Sequence, residues 1–185
     1  TDSAPIFERS LAVKAGLGFI GKNTFLINPH HGLHTLIGVI ITNQELYYPD
    51  YGKKGKNLCG SCTRCLDACP SKALRDPFVM DARRCISYQT IEDNRLYDPA
   101  KDYHTRSGMV FGCDICMDAC PWSRKGDVTP IEEFRHLRLS DGMLVTCLDW
   151  AQWKKIDSHF FKQEFKNSPL FRPGLEKLIN NIDYE

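Results

Sequence analysis

No apolar run in this 185-residue chain approaches the roughly 18 residues that a membrane-spanning helix needs, so a soluble protein without a membrane span is expected. Charge of one sign is also missing. Lys and Arg number 24 against 23 Asp and Glu, a formal net charge of +1, and no global basic surface points to nucleic acid. Nor is there a secretory signal, which implies a cytoplasmic setting. Thr1-Asp2-Ser3-Ala4-Pro5 has neither an initiator methionine nor a targeting segment and runs straight into structured sequence, so the chain reads as a fragment or trimmed product of something longer. Its length and its 42% hydrophobic content suffice for one sizeable core, or a core with a small appended module.

Cysteine, by contrast, is plentiful, with nine in all. Cys59, Cys62, Cys65 and Cys69, followed by Pro70, form C-x2-C-x2-C-x3-C-P, the spacing by which a chain wraps a cubane [4Fe-4S] cluster. The first three thiolates bind one cluster, and the fourth reaches across to a second. The later run, Cys113, Cys116 and Cys120 before Pro121, is one cysteine short. By the same crossing, Cys120 completes the first cluster with Cys59, Cys62 and Cys65. Cys69, Cys113 and Cys116 then need one more ligand, and Cys85 fills the vacancy. Zinc would be satisfied by C-x2-C pairs and gives no reason for the third x2 step or the x3-C-P endings. Disulfides would need an oxidising compartment. Cys147, in the apolar stretch 143–148, is expected to be a small buried hydrophobe.

The spacing of other residues predicts an α+β fold: a β-hairpin or sheet segment with helices, then a ferredoxin-like module for two [4Fe-4S] clusters, then a helical tail. Ser3 is the expected N-cap of a helix over 5–15 with Ile6, Leu11 and Ala15 toward a core, ended by Gly16. Gly16, Gly18 and Gly21 let backbone approach something closely, but they do not fit G-x-G-x-x-G. Residues 25–28 and 33–42 read as a hairpin around Pro29-His30-His31-Gly32, the second strand central and buried on both faces. His30, His31 and His34 invite a metal reading, but the segment offers no carboxylate. The polar stretch 43–58, with Lys53, Lys54 and Lys56, marks the expected boundary; its lysines are a solvated loop or, more sharply, phosphate contacts. Asp81 should cap a helix through Glu92 that delivers Cys85. In the tail, Phe160, Phe161, Phe165 and Phe171 are expected in a core, and residues 173–182 form a last amphipathic helix.

Two cubanes move electrons one at a time. Folded-looking sequence on both sides of the cysteines favours clusters that feed a third centre over a plain carrier.

Several strings together resemble epoxyqueuosine reductase: Asp2-Ser3-Ala4-Pro5, Lys14-Ala15-Gly16-Leu17-Gly18, Gly21-Lys22-Asn23, the first cysteine run, Asp81-Ala82-Arg83-Arg84-Cys85-Ile86-Ser87-Tyr88, and Gly112-Cys113-Asp114-x-Cys116-x3-Cys120-Pro121-Trp122. The match runs over residues 2–124, with a looser echo at 168–181. It implies an oxidoreductase of queuosine biosynthesis and tRNA processing that uses cobalamin and two [4Fe-4S] clusters. Its substrate would be a tRNA anticodon stem-loop bearing epoxyqueuosine, and its electrons would come from an external donor such as a flavodoxin or ferredoxin. On this resemblance Asp2 is the proton donor, although by itself it reads as a helix-start aspartate. Gly21, Lys22, Asn23, Ser87, Cys113 and Asp114 surround the corrin, and Lys53, Lys54, Lys56, Arg83 and Arg84 are candidates for tRNA phosphates. Three parts are then expected: residues 1–57 as the end of a cobalamin-binding α/β domain, 58–124 as the cluster domain, and 125–185 as a helical segment packing on the others. The chain lacks the large N-terminal portion of the family's corrin pocket, and Ser123 replaces the usual asparagine after Pro121-Trp122. A reductive dehalogenase-like corrinoid enzyme and a ferredoxin-type electron-transfer module remain as alternatives.

Overall fold

Helix α1, Glu8–Lys14, begins at Glu8 instead of near Pro5 in the computed structural model, which describes residues 5–47, 57–103, 108–126, 128–132 and 137–183. Ser3, the expected cap, lies outside the described residues. Phe7 takes the N-cap position without a side-chain capping bond. Ala12 is the buried residue of this helix, while Leu11 is 42% exposed and Ala15 is exposed, which corrects the expected inward face.

Gly16, at φ +74°, ends α1 in the left-handed region, where glycine has no Cβ to clash. The chain then enters β1, Phe19–Ile20, which pairs antiparallel with β2, Leu26–Ile27, in the register Phe19 to Ile27 and Ile20 to Leu26. Gly18 is needed beside this pair, because a Cβ there would stand 2.2 Å from the Ile27 carbonyl oxygen. The glycine-rich stretch is therefore one arm and the turn of a hairpin, not a connection ahead of one.

The expected hairpin partner, residues 33–42, carries no strand. Leu36, Ile40 and Ile41 are 82%, 91% and 81% exposed, so this is not a central strand. A strand exists only in a ladder, and β-propensity without a pairing edge leaves extended chain. The turn before it does form, closed by the Asn28 to Gly32 bridge, with Asn28 Oδ1 accepting from the His30 and His31 amides at 2.8 and 2.9 Å.

The described residues fall into two compact units. One takes residues 5–47, 57–69, 74–80 and 115–126; the other takes 70–73, 81–103, 108–114, 128–132 and 137–183. In the first, Phe19, Ile27, Leu33 and Met117 form the core, with Trp122 edge-on to Phe19 at 5.6 Å. It also holds α2, Arg64–Ala68, the pair β3, Leu74–Asp76, and β4, Val79–Met80, and α3, Ile115–Asp118.

In the second unit, the helix expected after Asp81 is divided. A 3-10 turn covers Ala82–Arg84, Cys85 is extended at ψ 123°, and a wider π-helical segment follows over Tyr88–Glu92. Asp81 holds the N-cap position without a side-chain capping bond. Thr90 Oγ1 donates back to the Ile86 carbonyl at 2.8 Å, a local competitor of the regular helical ladder. The tail is helical as read: α4, Trp150–Trp153, with an Asp149 and Gln152 capping box; α5, Ser158–Phe165, capped by Asp157; and α6, Gly174–Asp183. Leu139, Val145, Trp153, Phe161, Phe165, Leu178 and Ile182 make its core. Phe161 and Phe165 are buried, but Phe160 and Phe171 are 37% and 39% exposed. Cys147 is exposed, against expectation, because the 3-10 turn Val145–Cys147 turns Val145 inward instead.

Candidate metal centre

The first C-x2-C turn is shaped by residues outside the motif. Asn57 Oδ1 accepts from the Cys59 amide at 2.9 Å, an Asx turn, while Asn57 Nδ2 donates to the Ile20 carbonyl at 2.7 Å. Gly60 has φ +53°, which favours glycine, and the Cys62 amide closes the turn onto the Cys59 carbonyl at 3.1 Å. α2 then starts after Thr63 and carries Cys65 inward, 8% exposed.

Cys120 arrives from the other end of the same unit. It follows α3, its amide bonding to the Met117 carbonyl at 2.9 Å, and Pro121 opens a 3-10 turn over Pro121–Arg124. Ser123 Oγ donates to the Met117 carbonyl and so ties the turn back to α3. Lys125 Nζ lies 4.6 Å from the Trp122 ring centroid and 3.2 Å from the Pro29 carbonyl. Gly32, at φ +76°, fits under this turn, where a Cβ would stand 1.9 Å from the Lys125 carbonyl.

The outcome is a cavity of about 350 Å³ lined by Cys59, Cys62, Cys65 and Cys120, together with Lys22, Asn23 and other residues. Burial pushes the Cys65 thiol above its ordinary value of 9.0, and the neighbouring Cys120 and Cys59 add to it. Burial likewise raises Cys120, against a bond from the Trp122 backbone, with Cys59 and Cys62 contributing. A half-buried place that gathers four sulfurs and resists bare thiolates suits positively charged iron, which holds thiolates directly. Among the described residues, no three His, Cys, Asp or Glu side chains converge for a single metal ion, His30, His31 and His34 included. The four sulfurs instead stand around a space larger than one ion, and the donor set fits a cubane.

The remaining cysteines are placed as follows. Cys69 ends α2 and is 8% exposed; Cys116 lies in α3 against the first unit's core. In the second unit, Cys85 precedes the π-helical segment and Cys113 follows Gly112 at φ +75°. Those two stretches are tied together. The Gly112 amide donates to Thr90 Oγ1 at 3.0 Å, and Asn181 Nδ2 donates to the carbonyls of Thr90 and Val110 at 3.3 and 2.9 Å.

Asp2, Lys53, Lys54 and Lys56 lie outside the described residues. Arg83 and Arg84 line a separate cavity of about 490 Å³ with Tyr88, Lys101 and Tyr103, the Arg84 guanidinium 5.1 Å from the Tyr103 ring centroid. Ser87 and Cys113 are half-buried and Asp114 is exposed. Lys22 and Asn23 instead line the sulfur cavity, and Gly21 is buried behind them. Sequence spacing missed Lys22, Asn57 and Trp122 as parts of this centre, since each reaches it through tertiary contact; only the Asn-x-Cys step carried a turn signal.

The 4Fe-4S double cluster binding domain family matches residues 58–123. Over 99% of its length the chain is 39% identical to an epoxyqueuosine reductase of Cyclobacterium marinum, covering 56% of that protein. It is 37% identical over 98% of its length to one of Pseudomonas aeruginosa, covering 48% of it. Epoxyqueuosine reductase from Streptococcus thermophilus has the same fold, with a TM-score of 0.78 and 28% identity over 99% of this chain and 46% of that one. An epoxyqueuosine reductase solved with an epoxyqueuosine-modified tRNA-Tyr stem loop matches with a TM-score of 0.72 and 25% identity over 99% of this chain and 46% of that one. The chain spans about half the length of the relatives it matches.

Proposed function

We propose that this chain, related along nearly its whole length to the epoxyqueuosine reductases, is the electron-relay part of such an enzyme, in which two [4Fe-4S] clusters feed cobalamin and epoxyqueuosine in tRNA is reduced to queuosine. The sulfur-lined cavity carries this reading. Cys120 joins Cys59, Cys62 and Cys65 there despite its distance from them in sequence, in the crossed set that a double-cluster module requires. Cys69, Cys85, Cys113 and Cys116 form the ligand set of the second cluster.

The reaction balances as a deoxygenation. Two electrons and two protons enter, both epoxide C–O bonds break, a C=C bond forms, and the oxygen leaves as water. Cobalamin, when bound, would supply the reducing metal at the epoxide. Ser87, Cys113 and Asp114 keep enough exposure to face a corrin, and we assign that contact to them. Asp2 is the proton donor, a role that needs a pKa raised by burial or a neighbouring negative group. In support, a related reductase from Bacillus subtilis is described with an aspartate catalytic loop swung out of its active site. The tRNA stem loop bound to a relative supports tRNA as substrate, with Arg83, Arg84 and the lysines of 53–56 on its phosphates. A flavodoxin or ferredoxin supplies the electrons in a cytoplasmic setting; among the described residues no helix is long and apolar enough to cross a membrane.

The test is full-length protein reconstituted with iron, sulfide and cobalamin, given a chemical reductant and an epoxyqueuosine anticodon stem-loop. Queuosine should form, and Asp2→Asn should slow it about 10²-fold or more, as loss of a general acid does. No queuosine from fully loaded protein, with halide released from a small halogenated substrate instead, would favour the dehalogenase reading. Neither activity would leave an electron-transfer module.

A further inference from the structure

Lys22 reaches a part of the chain far from it in sequence. Its Nζ donates to the Gly60 carbonyl at 2.7 Å and to the Cys62 carbonyl at 2.9 Å. Both belong to the turn that presents Cys59 and Cys62. Asn23, the next residue, is 1% exposed; its Oδ1 accepts from the Phe25 amide at 3.4 Å, and its Nδ2 is buried with no hydrogen-bond partner. Lys22 and Asn23 line the cavity with the four sulfurs. Gly21 leaves the room this arrangement needs, because a Cβ there would stand 2.6 Å from both Asn23 Oδ1 and Ile27 Cδ1. A buried N–H donor without an acceptor is rare in native folds, and here a sulfur in the cavity would satisfy it.

We propose that Lys22 and Asn23 are positioning residues of the iron-sulfur centre at Cys59, Cys62, Cys65 and Cys120: Lys22 clamps its first turn and fixes a positive charge beside it, and Asn23 Nδ2 donates to one of its sulfurs. This departs from the family resemblance, which points both residues at the corrin. It rests on the cluster reading above. A cubane with four thiolate ligands gains negative charge on reduction, so a fixed cation and an N–H donor stabilise its reduced form more than its oxidised form and raise its potential.

The experiment is a redox titration of both clusters followed by electron paramagnetic resonance, with iron content, on the full-length protein and its Lys22→Met, Lys22→Arg and Asn23→Leu variants. Wild type should hold about eight irons per chain. Wild type without cluster signals would remove the cluster reading itself, before any variant is compared. Lys22→Met and Asn23→Leu should each lower one of the two midpoint potentials by at least about 59 mV, the tenfold change for a one-electron couple, and leave the other in place. Lys22→Arg should keep more than half of what Lys22→Met loses. Full iron with both potentials unchanged in Lys22→Met and Asn23→Leu overturns the proposal. If Lys22→Met fails to keep its iron, Asn23→Leu decides by the same criterion.

Discussion

Cys120 is the residue on which the centre turns, since it comes from a different end of the first unit than Cys59, Cys62 and Cys65. With the proposed ligand sets, removing one thiolate of four breaks one set and leaves the other intact. Cys120→Ser should therefore lose about four of about eight irons, measured by iron analysis, with one cluster signal retained. Retention of all the iron would show that Cys120 is no ligand. Ser123, one of the residues that depart from the family pattern, holds the same turn through the Met117 carbonyl, so a small hydroxyl suffices there. Cys147 teaches the opposite lesson. Its apolar neighbours suggested burial, but a 3-10 turn has one inward side, and Val145 occupies it.

Among the elements, the hairpin of β1 and β2 and the turn over Pro121–Arg124 support each other through Gly32 and Trp122. Gly32→Ala forces a Cβ into the Lys125 carbonyl at φ +76° and should destabilise the first unit by on the order of 1–3 kcal/mol, read from urea unfolding. The elements that sequence reading found best were those with local causes. α6 follows from the helical spacing of its apolar residues, and the turn at residues 28–32 follows from Asn28 and glycine. The elements it misplaced depend on partners. Residues 33–42 have the composition of a strand, but among the described residues no ladder pairs with them. The helix after Asp81 has the right residues for a continuous run, but Cys85 is held extended and Thr90 bonds back along the chain.

At the scale of the whole molecule, pH acts through a charged group in the second unit. Arg95 donates to Asp93 and holds its carboxyl below the ordinary 3.8. A depressed folded value means that the stabilisation is complete above pH 3.8 and is lost as pH falls toward the folded value. Lys177 acts in the other direction. Burial lowers it from the ordinary 10.5, so its charged form weighs against folding until pH rises through that range. Unfolding followed by tryptophan fluorescence should show stability falling with pH below about 4, and Asp93→Asn should flatten part of that fall. An Asp93→Asn curve parallel to wild type would remove the assignment.

By itself the sequence determined the donor chemistry. The number and spacing of its cysteines select a double cubane because a short loop of fixed length can present only certain sulfurs to one cluster. The family strings carry the resemblance on which the proposed reaction rests. Only the tertiary structure decided which other groups stand with the sulfurs. Lys22, Asn23, Asn57 and Trp122 join the centre through contacts set by the packing of β1, β2 and the turn after α3. Such contacts have no spacing signature, because residues that meet across a fold leave no period along the chain.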